Sequence, residues 1–445
     1  METSGSTGEP EDAAPWATLP PELWPGIFLA VPSTPRAGLR AVCASWRQTL
    51  GAGALWPLGS TSDLSGPGDL SGQTDLDRGS VASWFANCCA HGRLEAAQWL
   101  AATFALTAAD ARFGENHALC QACANGHLEV ARWLAAAFAL TAADARANDN
   151  YAMQRACMYG HLAAAQWLAA AFRLTAADAR ALGNWALRST CANGHLAEAQ
   201  WLATTFALTA ADARAEGNQA LCLACAKGHL EVAQWLVATF ALTAEDARAG
   251  GNCALGFACE NGHLEVAQWL VAAFGLTAAD ARDDDNYALS YACENGHEMV
   301  AQWLVATIGL TAADARADNN YALRHACANG HLEIAQWLTT AFALTAADAR
   351  ADNNYALSEA CAEGHLEVAR WLVATFGLTA ADARADNNSA LREACKNGHL
   401  PVAQWLTATF ALTARDAHAA LRGPRARAFG YTGAEWWLVE KFGLS

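Results

Sequence analysis

A glycine returns every 34 residues through most of this chain: Gly92, Gly126, Gly160, Gly194, Gly228, Gly262, Gly296, Gly330, Gly364 and Gly398, with no insertion between any two. A fixed period of roughly 20–50 residues is the signature of an array whose units bury their apolar faces only against their neighbours. A tryptophan follows each glycine by seven residues, from Trp99 to Trp405. The stretch "GYTGAEWWL" restarts the pattern at Gly430, 32 residues on and without the histidine, and reads as a degenerate end cap.

Local signals divide each repeat into helices. An asparagine column (Asn116, Asn150, Asn184, Asn218, Asn252, Asn286, Asn320, Asn354 and Asn388) stands where a side-chain oxygen would cap the first turn of a helix. The first helix runs through segments such as "YALRHACA" until glycine permits a left-handed exit. The second, "HLEVAQWLVATF", carries Leu, Val, Trp and Leu at helical spacing with Glu on the wet side. In "LTAADAR" the threonine and the aspartate three residues on form a capping box, which predicts a short third helical turn. "ADNN" is turn chemistry leading into the next repeat.

Composition narrows the function classes. The chain has 445 residues, 53% hydrophobic and only 16% charged, so most of it must pack. A formal charge of −16 argues against nucleic acid and anionic membrane as partners. No apolar run is long enough to span a bilayer. The polar, acidic start "METSGSTGEPEDAAPW" is unlike a signal peptide. Fifteen cysteines without such a signal read as reduced thiols, which places the chain in the cytoplasm or nucleus.

Two helical repeats share this length. The tetratricopeptide pattern wants a proline near the end of each unit, whereas from residue 80 onward the chain has only Pro401 and Pro424. "YALRHACANGHLEIAQWLTT", Tyr321 to Thr340, instead resembles the ankyrin pattern without a gap: the leucine, the small pair Ala326-Cys327, Gly330-His331, and the Ile-Ala and Trp-Leu positions of the second helix all match. The resemblance implies an all-α, ankyrin-like α-solenoid of about ten 34-residue units over 81–445. Two departures reshape it. The usual Thr-Pro start is absent, and "LTAADAR" replaces the segment that ordinarily makes a hairpin finger.

A Cys and a His four residues apart recur in nine repeats, from Cys123/His127 to Cys395/His399. Thiolate and imidazole are common zinc ligands, but a closed site needs four, and helices stacked roughly 9–10 Å apart keep ligands of two repeats from one ion. The pair therefore reads as structural: a small packing residue, and a ring that ties adjacent turns together. Cys120/Cys123 and Cys222/Cys225 each lie within one helix, and neither has a second pair. The Asp of "LTAADAR" and the Arg two residues later recur too often for an active site and suit capping and loop-to-loop pairing. The tryptophans fall on the apolar stripe. No phosphate loop, dinucleotide fingerprint or nucleophile elbow occurs. No catalytic, cofactor or metal residue is assigned.

One column refuses to repeat. Five residues before the glycine stand Gln121, Arg155, Ser189, Leu223, Phe257, Tyr291, His325, Glu359 and Glu393. A position that changes while its neighbours stay fixed is not dictated by packing; it is either free to drift or reads a partner. In the ankyrin family this column faces the concave groove. Its passage from polar through Leu-Phe-Tyr to acidic suggests a target with an apolar centre and a basic end.

The N-terminal stretch is not a repeat. After an expected disordered tail (1–15), residues 16–58 hold Thr34 and Pro35 at a helix start, followed by Leu39, Val42, Cys43 and Trp46 on one face. A segment of this size cannot easily bury that face alone. It resembles an F-box, with Leu19, Pro20, Glu22, Leu23, Ile27, Val31, Val42, Cys43, Trp46 and Arg47 in register, and departs at Pro25-Gly26 and Arg36. The resemblance implies that Leu19, Pro20, Leu23, Ile27, Leu39, Val42 and Trp46 dock on a Skp-type adaptor, and so on a cullin ubiquitin ligase. Residues 59–80, rich in Gly, Ser and Asp, read as a flexible linker. Together these features suggest a monomeric, non-enzymatic substrate-recruiting subunit that brings an unidentified target protein to the ligase. A plain ankyrin scaffold with no tie to ubiquitination remains the alternative.

Overall fold

The computed structural model describes residues 78–421 and 432–444, and every regular element among them is a helix. The described residues form two compact parts, one over 78–186 with 197–207 and the other over 187–196 with 208–421 and 432–444. Each is an all-α stack of ankyrin-like repeats. The F-box-like residues lie outside the described stretch.

One repeat serves for the rest. Its first helix, Ala317–Ala328, buries Leu323, Ala326 and Cys327; its second, Leu332–Ala341, buries Ile334, Ala335 and Leu338. Alanine and cysteine dominate the faces between neighbouring first helices because only small side chains let those helices approach closely. The cysteine of this column is at most 1% exposed in every repeat from Cys123 to Cys395. Burial pushes its thiol well above the ordinary range, to about 12 even at Cys395, so it stays protonated and packs as a hydrophobe. The tryptophans are half-buried rather than core, and all but Trp303, which has Ile308 there, are set edge-to-face against the phenylalanine five residues on, as at Trp235–Phe240.

The turn glycine has two jobs. Gly330 has φ +81°, the left-handed exit expected after the first helix. It is also a seat: a Cβ at Gly330 would stand 2.6 Å from Nδ1 of His365, the turn histidine of the next repeat. The same arrangement pairs Gly92 with His127 and Gly228 with His263. The His127 ring also hydrogen-bonds the backbone at Ala90 in the repeat before, so the imidazole does join adjacent turns.

The predicted third turn is present as a four-residue helix, such as Ala346–Ala349, with a capping box at its start. Asp348 Oδ2 accepts from the Thr345 backbone N–H at 2.7 Å and from its hydroxyl at 2.9 Å. The other oxygen, Oδ1, accepts from Nε of Arg316 in the preceding repeat at 2.8 Å, and a second guanidinium N–H bonds Oδ2 at 3.2 Å. The pair recurs from Arg112–Asp144 to Arg384–Asp416, with Nε to oxygen distances of 2.5–2.8 Å. The aspartate is nearly buried and the arginine about one-third exposed.

Two expectations are corrected. The asparagine column does not cap helices. Asp318, Asn319 and Asn320 have φ of +43°, +53° and +64°, a left-handed turn at the head of the first helix, and equivalent triplets open the other repeats. Asn and Asp are the non-glycine residues that enter this region at least cost. The Asn320 N–H donates back to the Arg316 carbonyl at 3.2 Å, while its Oδ1 is buried with no hydrogen-bond partner, so it accepts nothing from the helix that follows. Nor are all cysteines free: Cys222 and Cys253, 31 residues apart on neighbouring first helices, form a disulfide across a Cα–Cα distance of 5.8 Å. The same step joins Ser358 to Ser389, hydroxyl to hydroxyl at 2.7 Å, so it is a contact position of the repeat that happens to hold two thiols here. At the C-terminus, helix Gly433–Phe442 closes the array: the Thr432 hydroxyl donates to the Cys395 carbonyl at 2.5 Å, and Ala434 and Leu438 are buried.

Gly330→Ala should lower the urea midpoint more than Gly377→Ala. Both glycines have positive φ, which costs a side chain about 1–2 kcal/mol, but only Gly330 is filled by a neighbour's ring; nothing lies within 4 Å of a Cβ at Gly377. Equal effects would show that the histidine seat contributes nothing.

Acid should weaken the fold in two steps. Burial holds His127, His229, His297 and His365 below the ordinary histidine value, so the unfolded chain binds protons first, and stability falls as pH drops below about 6.5. The arginine partners hold Asp144, Asp314 and Asp416 down to about 2, so their contribution is full above about 4 and is lost as pH falls towards 2. Circular-dichroism melts across pH 7.5 to 2 read both steps; Arg282→Gln should shrink the second and spare the first.

Candidate functional site

The variable column becomes a physical object in the second part of the chain. Phe257, Tyr291 and His325 each lie half-buried on a first helix. Four residues before Tyr291 and His325, one helical turn away and so on the same face, stand Tyr287 and Tyr321. The rings alternate in contact. Phe257 meets Tyr287 edge-on with centroids 6.0 Å apart, and Tyr287 stacks on Tyr291 at 4.1 Å. Tyr291 then meets Tyr321 at 5.5 Å, Tyr321 stacks on His325 at 3.9 Å, and His325 meets Tyr355 at 5.3 Å. Six rings thus form one row across successive repeats. Gly256 makes room for it, since a Cβ there would lie 3.0 Å from the Tyr287 ring.

Carboxylates anchor the row. The Tyr287 hydroxyl donates to Glu260 and the Tyr321 hydroxyl to Glu294, each at 2.6 Å. Burial, and then the acceptor carboxylate, hold both phenols above their ordinary range, so they stay protonated and keep donating. His325 Nδ1 lies 3.8 Å from the other Glu294 oxygen, yet burial lowers its pKa, so at neutral pH the ring brings no counter-charge. Arg324 lies over the Tyr355 ring, 4.9 Å from its centroid, and pairs with Asp352 at 2.9 Å. Beyond Tyr355 the row gives way to Glu359, whose carboxyl is raised by burial and by Glu363 and Glu393. Glu393 itself is paired with Lys396 and Arg392.

The remaining members of the column are not drawn into the row. Leu223 is half-buried without a ring contact. Ser189 is buried. Gln121 and Arg155 belong to the other part: Gln121 lines a shallow recess with His117 and Phe113, and the Arg155 guanidinium lies 5.1 and 5.0 Å from the Tyr151 and Tyr159 ring centroids. The docking residues from Leu19 to Trp46 lie outside the described stretch. Reading the sequence for a single variable column overlooks Tyr287, Tyr321, Tyr355, Glu260 and Glu294. The signal for the tyrosines was their fixed spacing, four residues ahead of the variable position on the same helical face.

No group of three or more His, Cys, Asp and Glu side chains that could hold a metal occurs among the described residues. The thiol and imidazole of one repeat serve different neighbours: Cys327 is fully buried, while the His331 ring reaches Gly296 of the preceding repeat. No helix among the described residues is long and apolar enough to cross a membrane.

Family models for ankyrin repeats match the chain at four places. The three-copy model covers 187–280, 255–345 and 323–416, and the many-copy model covers 119–169. The F-box-like residues lie outside these matches. No curated protein matches the chain.

Proposed function

Because the chain belongs to the ankyrin-repeat family, we propose that it is a protein-interaction adaptor that performs no chemistry itself and holds a target protein along the variable column of its first helices. The observation that carries this reading is the continuous row of half-buried rings from Phe257 to Tyr355, in which the variable column alternates with the residue four places before it. Leu223 and the acidic pair Glu359 and Glu393 extend the surface at its two ends, and Gln121 and Arg155 give the first part of the chain its own polar stretch of the same column. Rings that are large, rigid and only half covered are the side chains that supply most of the energy in protein interfaces.

The N-terminal segment gives the adaptor its second hand. Through Leu19, Pro20, Leu23, Ile27, Leu39, Val42 and Trp46 the F-box-like residues 16–58 dock on a Skp-type adaptor of a cullin ligase, and the linker 59–80 joins them to the array. Contribution to ubiquitination is then placement, raising the effective concentration of target near the transferring enzyme. The chain acts in the cytoplasm or nucleus, as a monomer outside that complex.

Two binding measurements on the full chain test these halves separately. A purified Skp-type adaptor should be retained by the wild type and released by Leu19→Ala with Pro20→Ala; failure of the wild type to retain it leaves a plain scaffold. Proteins retained from a cell extract, identified by mass spectrometry, should be lost when Phe257 and Tyr291 are both changed to Ala while the helical circular-dichroism signal is unchanged. Undiminished retention would remove the ring row as the target site.

A further inference from the structure

The chemistry of the ring row points beyond a generic protein partner. Among the described residues no arginine or lysine lies within ion-pairing distance of Glu260, Glu294 or Glu359. The two tyrosine hydroxyls bonded to Glu260 and Glu294 fix the direction of those carboxylates without cancelling their charge. The row therefore sets half-buried rings beside carboxylates that have no cation within ion-pairing distance, with Arg324 over the Tyr355 ring and Lys396 near Glu359 as the cations that act on its far end. A guanidinium is the side-chain group that uses both at once: it is planar enough to lie on a ring and forked enough to grip a carboxylate. The molecule already makes this arrangement internally, where Arg324 lies over Tyr355 and bonds Asp352.

Spacing then selects the partner's backbone. Successive first helices stack at roughly 9–10 Å, and an extended or polyproline-type chain advances about 3.1–3.3 Å per residue. Three partner residues therefore span one repeat. We propose that the row from Phe257 to Tyr355, with Glu260, Glu294 and Glu359 beside it, binds an extended cationic segment of a partner protein presenting arginine or lysine at every third position. The inference rests on the reading of the variable column as the target surface and adds to it the chemistry and register of the target. The chain's formal charge of −16 favours the approach of such a segment and disfavours a polyanion.

Fluorescence anisotropy with the full chain tests it. The probe is a labelled dodecapeptide of four Arg-Ala-Ser triplets, compared with an isomer in which the four arginines are contiguous and with a version carrying Glu for Arg. The triplet peptide should bind at least tenfold tighter than the isomer, and the Glu version should not bind. Glu294→Gln with Glu359→Gln should weaken the triplet peptide at least tenfold, as should Tyr291→Leu. Glu231→Gln with Glu333→Gln, the same charge change at exposed positions of second helices, should leave it unchanged. Equal binding of the two isomers, or equal weakening by the two Glu→Gln pairs, would reduce the effect to overall charge and overturn the proposal. If extract partners are lost from the Phe257→Ala, Tyr291→Ala chain but the triplet peptide does not bind wild type, the cationic register is wrong and the surface stands. If those partners are retained, the surface assignment has failed first.

Discussion

Each repeat is held to itself and to its predecessor by one carboxylate. In Asp348, Oδ2 closes the capping box of its own short helix through Thr345, and Oδ1 receives Arg316 from the repeat before. A repeat taken alone would keep the box but leave a nearly buried charge without its cation, and an unpaired buried charge is among the costliest things a fold can contain. The histidine supplies a second junction, its ring seated on the glycine of the preceding turn. The two junctions lie just before the second helix and just after it. That helix is fixed at both ends, and the same locks bracket the first helix, which opens at Arg316 and ends just before Gly330, so a side chain along its middle can change without disturbing them.

Much of this was legible because it is local or periodic. The glycine exit, the threonine–aspartate box and the arginine partner follow from residue types at fixed offsets, and a column that never varies cannot be ten separate active sites. The asparagine column was misread for a physical reason: the same short amide suits a helix N-cap and a left-handed turn. What decides between them is that three consecutive residues, such as Asp318, Asn319 and Asn320, share the left-handed conformation, a property of the segment rather than of the asparagine. The bond between Cys222 and Cys253 depends on which face of one first helix meets the next, and that packing offset of 31 residues has no local signature.

The binding surface shows the same division. The variable residues were identifiable singly, since Phe257, Tyr291 and His325 break an otherwise constant pattern. Their connection was not, because it alternates a four-residue step within a helix with a 30-residue step between helices, and the second step exists only once the repeats are stacked. The tyrosines that bridge the variable residues belong to a second changing column, which reads His117, Tyr151, Trp185, Gln219 and Cys253 before it reaches Tyr287, Tyr321 and Tyr355. Gly256 shows how finely the row is accommodated: one missing side chain admits the Tyr287 ring at the place where the neighbouring repeat has Cys222 and its bond to Cys253.

The seats and pins also give the stack a direction. Within each compact part, an earlier repeat supplies glycine and arginine and a later one supplies histidine and aspartate; the roles never reverse. The trailing edge of such a stack is therefore unlike its leading edge, and two trailing edges have nothing complementary to exchange. At the last described repeat the parts change: His418 stands where the next arginine would, no atom of the described residues lies within 4 Å of a Cβ at Gly398, and Thr432 ties the helix Gly433–Phe442 to Cys395. The last described edge of the second part therefore presents different chemistry from the junctions between its repeats.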